Sequence, residues 1–350
     1  MFWELILICT YYLEGQTLKT KQIPLTAAEI STLWTSLITN SMGTCILKYF
    51  LAKAEDDEAE SLINAALSIS QQQYHQMKQI LLSESIAIPL GFTDEDLNVD
   101  APRLFSDSFT IQFVKQIANI GMMSHSSALY VSAREDIREL YNNSLASWIE
   151  LDNKSTMMLL SKGIYVRPPF INPPTKNDFV KDQSFLTGWL GERRPLTGLE
   201  ITDLYINILL NSIGKALIMG YSQVAQTKDV QKYFIRGKQL AAKQMTVFSS
   251  VLIDEDIDVP PTYDSHVTDS TISPFSEKLM LFHVTILNGT GILNYGASIS
   301  TSPRRDLASH YTRLLPDILL YAEDGINLLI KHGWMEEPPK ATDWNSLVKQ

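Results

Sequence analysis

Apolar residues recur along this chain at steps of three and four positions, which is the period of an amphipathic α-helix. Between positions 27 and 53, for example, Ile30, Leu33, Leu37 and Ile38 fall on one face. The same pattern predicts eight helices, at about 27–53, 58–85, 105–130, 133–162, 198–225, 229–255, 274–300 and 303–332. Helices of this length, at about 1.5 Å per residue, can pack side by side as antiparallel bundles.

The chain contains two copies of one pattern. Leu25–Ile30 matches Leu196–Ile201 when the sequence is shifted by 171 positions, and Ser132–Asp136 matches Ser302–Asp306 at a shift of 170. A gap of one residue therefore suffices to align the two copies over most of their length. The period is far longer than the roughly 20–50 residues of a solenoid repeat, so the pattern indicates a duplicated domain.

A long connection separates the second and third predicted helices of each copy, at 86–104 in the first. A crossover of this kind joins helices in ferritin-like folds. The sequence therefore predicts an all-α chain of two tandem ferritin-like four-helix bundles. The predicted divisions are an N-terminal extension at 1–24, a first bundle at 25–166, a proline-rich linker at 167–195, a second bundle at 196–340 and a C-terminal tail at 341–350.

The linker has two halves of different character. Pro168–Pro169 and Pro173–Pro174 favour an extended polyproline II backbone in the first half. The second half is more apolar than a free linker and contains Phe185, Leu186, Trp189 and Leu190. We therefore expect this segment to pack back against the domains.

Repeated polar residues have structural explanations at the helix starts. Thr26 and Glu29 have the spacing of a capping box, in which each side chain bonds a free backbone N–H group of the other residue, and Thr197 and Glu200 repeat them. Further repeated residues are predicted to be N-caps or first-turn acids that the helix dipole favours. The predicted N-caps are Ser132 and Ser302, and the predicted first-turn acids are Asp136 and Asp306.

Gly43 and Gly214 occupy matching positions in the middle of the first helix of each copy. Glycine at such a position costs about 1 kcal/mol relative to alanine. Because both copies keep it, the pattern predicts a close crossing with a neighbouring helix.

A di-iron carboxylate site, which occurs in bundles of this kind, is excluded by the sequence. That site needs a Glu from each of two helices and a Glu-x-x-His motif from each of the other two. No Glu-x-x-His motif occurs, and the nearest remnant, Gln72-x-x-His75, is matched in the second copy by Lys243 and Thr246. Because carboxylates balance the charge of bound iron, we predict no metal site and no cofactor.

The six histidines do not form a repeated set. His125 is matched by Tyr295, and His283 is matched by Phe113. Each is predicted to be a core or boundary residue, with the lining of a functional pocket by His283 or His125 as the alternative.

Two further groups of residues allow two interpretations each. Small residues on the third helix of the second copy either permit close helix packing, which is favoured, or leave room for a ligand; they are Asn288, Gly289, Gly291 and Gly296. Polar residues of the first copy are either buried hydrogen-bonded pairs or exposed; they are Gln73, Gln76, Asn40 and Asn119. Neither a P-loop nor a Gly-x-Ser-x-Gly nucleophile motif occurs.

Composition narrows the class of partner. The formal net charge is −10 and no basic run of useful length occurs, so nucleic acid and anionic membrane surfaces are unfavourable partners. Two cysteines, Cys9 and Cys45, cannot build a disulfide framework or a cysteine zinc site. The chain is therefore expected to be cytoplasmic.

The apolar run Phe2–Leu13 is about half the length of a transmembrane helix. It is predicted to be a peripheral extension, with a weak anchor as the alternative.

Seven segments carry a resemblance to a known family. They are Leu25–Ile30, Ala101–Asp107, Ser132–Arg138, Leu160–Gly163, Phe185–Gly191, Val267–Thr271 and Tyr321–Gly325. On these segments the chain resembles, from about 25 to 340, a family of duplicated four-helix proteins of endospore-forming Gram-positive bacteria, whose members are often labelled as spore coat proteins. The resemblance implies a ferritin-like fold and an association with the spore. It supplies no catalytic residues.

Three functions stay open at this point. The first is a non-enzymatic structural or interaction protein of sporulation or the spore coat, with protein partners or self-association. The second is a binding module for a small apolar ligand between helices, and the third is a metal or redox enzyme with an unfamiliar ligand set. Solid apolar cores would favour the first, a cavity near Gly289–Gly296 lined by His283 the second, and inward-facing clusters of acids and histidines the third. No catalytic residue is assigned.

Overall fold

The computed structural model describes residues 23–189 and 193–344, and these residues form eight α-helices. The helices are α1 Ala27–Lys53, α2 Asp57–Ser83, α3 Asp107–Val131, α4 Glu135–Ser161, α5 Gly198–Val224, α6 Lys228–Ile253, α7 Glu277–Thr301 and α8 Arg305–Lys331. Every predicted helix is present, with ends within three residues of the prediction. The predictions for Phe2–Leu13, Cys9 and Leu190 lie outside the described residues.

The helices form two bundles in chain order. In the first bundle α1 packs against α2 and α3, α2 against α3 and α4, and α3 against α4. In the second bundle α5 packs against α6 and α7, α6 against α8, and α7 against α8. The predicted all-α architecture of two tandem helical bundles is therefore confirmed, whereas the finer ferritin-like assignment stays a prediction.

Helix α5 is the one described helix that is long and apolar enough, by length and composition, to cross a membrane. More than half of its most apolar window is buried within the protein, with 56% of the residues covered. Core helices of helical bundles have the same composition, since they are apolar on every face that meets a neighbour. Packing inside the second bundle accounts for the apolar character of α5.

The two predicted capping boxes are confirmed. The Thr26 backbone N–H donates to Glu29 Oε2 at 2.8 Å, and the Glu29 N–H donates to Thr26 Oγ1 at 3.2 Å. Thr197 and Glu200 repeat both bonds at 2.8 and 3.2 Å. Burial favours protonation of Glu29, but N–H donors, the first of them on Arg134, overcome it and lower its pKa to about 2.

The prediction that Ser132 and Ser302 are N-caps is wrong. Ser132 ends helix α3, and its hydroxyl donates to the Ala128 carbonyl at 2.7 Å. The N-cap of α4 is Arg134, and the Glu29 carboxylate of helix α1 accepts its N–H at 2.8 Å. A side chain from another helix therefore satisfies the start of α4, which spacing within the segment does not reveal.

Each bundle contains an ion cluster around a buried arginine at the start of its fourth helix. An arginine there forms ion pairs with two carboxylates. One carboxylate belongs to the residue two positions after the arginine, and the other belongs to a residue just after the end of the second helix of the bundle. The members are Arg134, Asp136 and Glu84 in the first bundle and Arg304, Asp306 and Glu255 in the second. Arg304 is fully buried and donates to both Asp306 oxygens at 2.9 and 3.0 Å and to Glu255 at 2.5 Å. This cluster explains why these residues recur in both copies.

The two long connections pair with each other and relate the bundles by a local two-fold axis. The Asn98 N–H donates to the Pro274 carbonyl at 2.8 Å, and the Thr268 N–H donates to the Leu104 carbonyl at 3.0 Å. The two bonds are equivalent, because Asn98 corresponds to Thr268 and Leu104 corresponds to Pro274 at a shift of 170 positions. Two antiparallel bridges obey the same relation, between Leu97 and Phe275 and between Phe105 and Val267.

Aromatic side chains near this axis join the bundles into one core. Phe113 of α3 meets His283 of α7 with ring centroids 5.6 Å apart. Phe113 also packs on Phe50 of α1 at 5.2 Å, and His283 packs on Tyr221 of α5 at 5.9 Å, which is the equivalent contact in the second bundle. The bundles therefore share buried surface and are not independent domains joined by a flexible segment.

The linker packs back at its end and not in its middle. Trp189, although 60% exposed, donates from Nε1 to Ser309 Oγ of α8 at 3.4 Å. The Arg194 guanidinium stacks on the Phe185 ring and pairs with Glu200 of α5 at 2.7 Å, which ties this end of the linker to the second bundle. Phe170 and Phe179, by contrast, are 84% and 86% exposed. The expectation of packing is met at 185–189 and is wrong for these two side chains.

Candidate ligand-binding cavity in the second bundle

A cavity of about 150 Å³ lies in the second bundle beside the first. Gly214 of α5, Ala241 of α6, Gly291 of α7 and Ile318 of α8 line it on the side of the second bundle, and Phe113 of α3 lines it from the first. A Cβ atom added at Gly214 or Gly291 would meet no other atom within 4 Å. These glycines therefore border open space.

The predicted close crossing at Gly43 and Gly214 is wrong. A Cβ at Gly43 would lie 3.7 Å from Ser70 Oγ, which is an ordinary contact, and one at Gly214 would have no neighbour. A tightly packed helical glycine of the first bundle is Gly121 of α3, where a Cβ would lie 2.5 Å from the Trp148 ring. The presence of glycine at matching positions of both copies therefore did not indicate a close helix crossing.

One substitution between the copies accounts for much of the cavity. Trp148 of α4 is buried, and its ring fills the space beside Gly121. At a shift of 170 these two positions become Ile318 and Gly291, and both line the cavity. An isoleucine has neither the length nor the volume of an indole, so the space that Trp148 fills in the first bundle stays open in the second.

His283 brings a polar ring to the wall of the cavity. It is 5% exposed, and its Nδ1 lies 2.9 Å from Tyr221 Oη, which is itself fully buried. Burial lowers the pKa of His283 to about 4 and raises that of Tyr221. Both groups are therefore uncharged at neutral pH.

Amide and hydroxyl groups supply the other polar atoms of the wall. Asn211 Nδ2 donates to Tyr295 Oη at 3.2 Å and to the Asn207 carbonyl at 2.8 Å. Gln244 of α6 is 5% exposed and lines the cavity. Its amide is therefore placed where a ligand with a polar group could bond it.

A groove on the surface lies next to the cavity. Ile120 of α3 and Thr290 of α7 are equivalent residues of the two copies, and both line the cavity and the groove. The groove continues past Met123 and Leu293, which are 41% and 59% exposed. The groove and the cavity therefore meet at these two residues.

The lining determines what the cavity can do chemically. Its walls contain no Asp, Glu, Lys or Arg among the residues that the structure describes. A general acid and base pair would need such groups or a histidine that titrates near neutral pH. The cavity is suited to holding an uncharged molecule by apolar contact and hydrogen bonds.

The remaining candidate residues occupy varied places. His125 is buried in the first bundle, where its Nδ1 lies 2.8 Å from the Gly121 carbonyl. Gln73 is buried without a hydrogen-bond partner, whereas Gln76 is exposed. Gln72 and His75 are exposed. Within 23–189 and 193–344 no group of three His, Cys, Asp or Glu residues could hold a metal ion.

Sequence reasoning identified part of this site. It gave pocket lining by His283 and Gly291 only as the alternative, and the cavity includes both. The favoured interpretation of Gly291, close helix packing, is wrong, since a Cβ there would have no neighbour within 4 Å. Asn288 also lines it, and Asn288 Nδ2 donates to Tyr233 Oη at 3.2 Å. Ile318 was missed, although the mismatch with Trp148 between otherwise similar copies is a signal that the aligned repeats contain.

Comparison with known proteins identifies the repeated unit. A family model described as protein of unknown function (DUF3231) matches residues 14–176 and again residues 184–347. The comparison with curated proteins finds no match. A solved structure described as that of "a putative spore coat protein" from Bacillus halodurans is 22% identical, with a TM-score of 0.40, over 44% of this chain and 99% of that chain.

Proposed function

The chain belongs to the DUF3231 family of proteins of unknown function, and from that premise we propose that it is a non-enzymatic binding protein whose second bundle holds a small apolar ligand. The observation that carries this proposal is the cavity of about 150 Å³ between α5, α7 and α8. A cavity of that size lined by apolar side chains can hold a molecule such as benzene. The first bundle acts as the rigid partner that closes one side through Phe113.

The absence of a charged lining supports the non-enzymatic part of the proposal. The described residues around the cavity offer one histidine, which burial keeps neutral, and no carboxylate beside it. The observation that would favour a metal or redox enzyme, a cluster of inward-facing acids and histidines, does not occur in the described part of the chain. Ligand binding therefore has more support than catalysis.

Refilling the cavity tests the proposed function. We expect Ile318→Trp to reproduce the packing of Trp148 in the first bundle and to abolish toluene binding, measured by calorimetry on the full chain. Toluene should bind the unaltered protein because its ring fits an apolar space of this size. The matched control is Leu320→Trp, an exposed position on the same helix, which should leave binding unchanged. Equal toluene binding by Ile318→Trp and the unaltered protein would contradict the proposed site.

A structural role in the spore is the second candidate function. Exposed apolar side chains in the middle of the linker favour it, because they are available for contact with a partner. They are Phe170, Phe179 and Val180, which are 84%, 86% and 63% exposed. In this proposal the linker recruits protein partners of the spore coat while the bundles supply a rigid frame.

Fractionation of sporulating source cells tests the second candidate. We expect the protein to be enriched in coat extracts, measured by mass spectrometry, and Phe170→Ser with Phe179→Ser to shift it to the soluble lysate. Tyr130→Ser, which alters an 88% exposed residue outside the linker, should keep the original distribution. Equal abundance in the soluble lysate of growing cells would rule out the link to the coat and leave ligand binding.

A further inference from the structure

The hydrogen bonding around His283 limits which molecules the cavity accepts. Tyr221 is fully buried, and its hydroxyl has the His283 Nδ1 atom, 2.9 Å away, as its partner in the described residues. If the hydroxyl accepted a proton from Nδ1, its own hydrogen would be buried without an acceptor, which is unfavourable. The hydroxyl therefore donates to Nδ1.

This direction fixes the tautomer of the ring. A neutral imidazole carries one N–H group, and the nitrogen that accepts a bond cannot be the one that carries it. With Nδ1 accepting from Tyr221, the proton of His283 is on Nε2. The residue lines the cavity and Nε2 has no partner among the described residues, so Nε2–H is a donor available to a bound molecule.

The charge of the lining gives a second restriction. An ion moved from water into an apolar space needs a partner of opposite charge, or the transfer costs several kcal/mol or more. The described lining contains no charged side chain, and its polar atoms belong to amides, hydroxyls and one neutral histidine. Carboxylates and ammonium ions are therefore disfavoured however well their rings fit.

We propose that the ligand of the second bundle is an uncharged molecule about the size of one aromatic ring, carrying one hydrogen-bond acceptor that binds the Nε2–H group of His283. This inference rests on the proposed function, since it names the class of ligand for the same cavity. The rest of the wall contributes apolar contact from residues such as Leu217 and Leu287. Gln244 offers a further amide to a ligand with a second polar group.

Four probes of similar ring size test the inference on the full chain by calorimetry. They are toluene, benzyl alcohol, benzoate and benzylammonium. One added hydrogen bond contributes about 0.5–1.5 kcal/mol, so benzyl alcohol should bind about 2–12-fold more tightly than toluene. Benzoate and benzylammonium should bind at least about 100-fold more weakly than benzyl alcohol, because the cavity offers no opposite charge.

His283→Phe is the variant that isolates the hydrogen bond. The matching position of the first bundle is Phe113, so phenylalanine is a side chain that this fold already accepts at the equivalent place. We expect the variant to lose the preference for benzyl alcohol over toluene, whatever its affinity for toluene, because the Nε2–H donor is absent. A second measurement needs no variant: the ¹⁵N resonance of His283 Nε2 should shift on addition of benzyl alcohol and much less with toluene.

The outcomes separate the inference from the proposed function. Toluene binding with no preference for benzyl alcohol, or a preference that persists in His283→Phe, would overturn the inference and leave the cavity as a binding site. Tight binding of benzoate or benzylammonium would overturn the uncharged class. Failure of all four probes to bind would overturn the proposed function together with the inference.

Discussion

Replacing Arg304 with methionine is expected to lower the free energy of unfolding by about 3–5 kcal/mol, because it leaves buried carboxylates without their partner. Arg304 is fully buried and Asp306 is 1% exposed. The guanidinium also donates to Glu255 at 2.5 Å and to the Arg194 carbonyl at 3.1 Å. Methionine matches the length of the stem but donates no hydrogen bond, so all three acceptors lose a partner.

Thermal and denaturant unfolding of the full chain measure this effect. Arg313→Met is the matched control, since Arg313 lies on the same helix and is exposed, and it should change stability by less than about 0.5 kcal/mol. The equivalent change Arg134→Met should cost less than Arg304→Met, since Asp136 and Glu84, which pair with Arg134, are 31% and 27% exposed. A loss no larger than that of the control would show that the cluster contributes little to stability.

Replacing Trp148 with alanine is expected to destabilise the protein by about 3–5 kcal/mol, the range for loss of a buried aromatic side chain. Trp148 is 3% exposed and fills the space beside Gly121, where even a Cβ atom would lie 2.5 Å from its ring. Removal of the ring opens in the first bundle a cavity like that of the second. The cost arises from lost apolar contact and from the space left behind.

The same unfolding measurements test this prediction. Trp344→Ala removes an indole that is 74% exposed and should change stability by less than about 0.5 kcal/mol. Toluene should stabilise Trp148→Ala more than it stabilises the unaltered protein, because the variant offers a second cavity and a ligand that binds only the folded state stabilises it. A loss below about 1 kcal/mol would mean that the first bundle collapses around the missing ring and that the difference between Trp148 and Ile318 does not explain the cavity.

Local structure followed closely from local sequence. The period of apolar residues gave eight helices with ends within three residues of those observed. The capping boxes at Thr26 and Thr197 were predicted because a cap bonds backbone groups three positions away, so both partners are visible in one short segment. The prediction failed at Ser132, where the acceptor that satisfies the helix start is Glu29, more than 100 positions away.

The duplication supplied information that a single copy would not contain. Glu84, Arg134 and Asp136 recur as Glu255, Arg304 and Asp306, and the structure brings each set into one ion cluster. The sequence by itself indicated a role only for Asp136 and Asp306, as first-turn acids. The difference between Trp148 and Ile318 carried equal information. That difference indicates a cavity only when it is known that Gly121 lies beside Trp148 and Gly291 lies beside Ile318.

The sequence by itself determined the helical class, the two copies, the helix ends and the lack of a di-iron ligand set, because each depends on residue types at short or repeated spacings. Only the tertiary structure decided that the bundles share a core near Phe113 and His283 and that the second bundle is hollow beside Gly214 and Gly291. The reason is physical: a cavity is the volume that side chains from five helices fail to fill. That volume follows from the positions of those helices, whereas a glycine in the sequence is equally consistent with close packing and with open space.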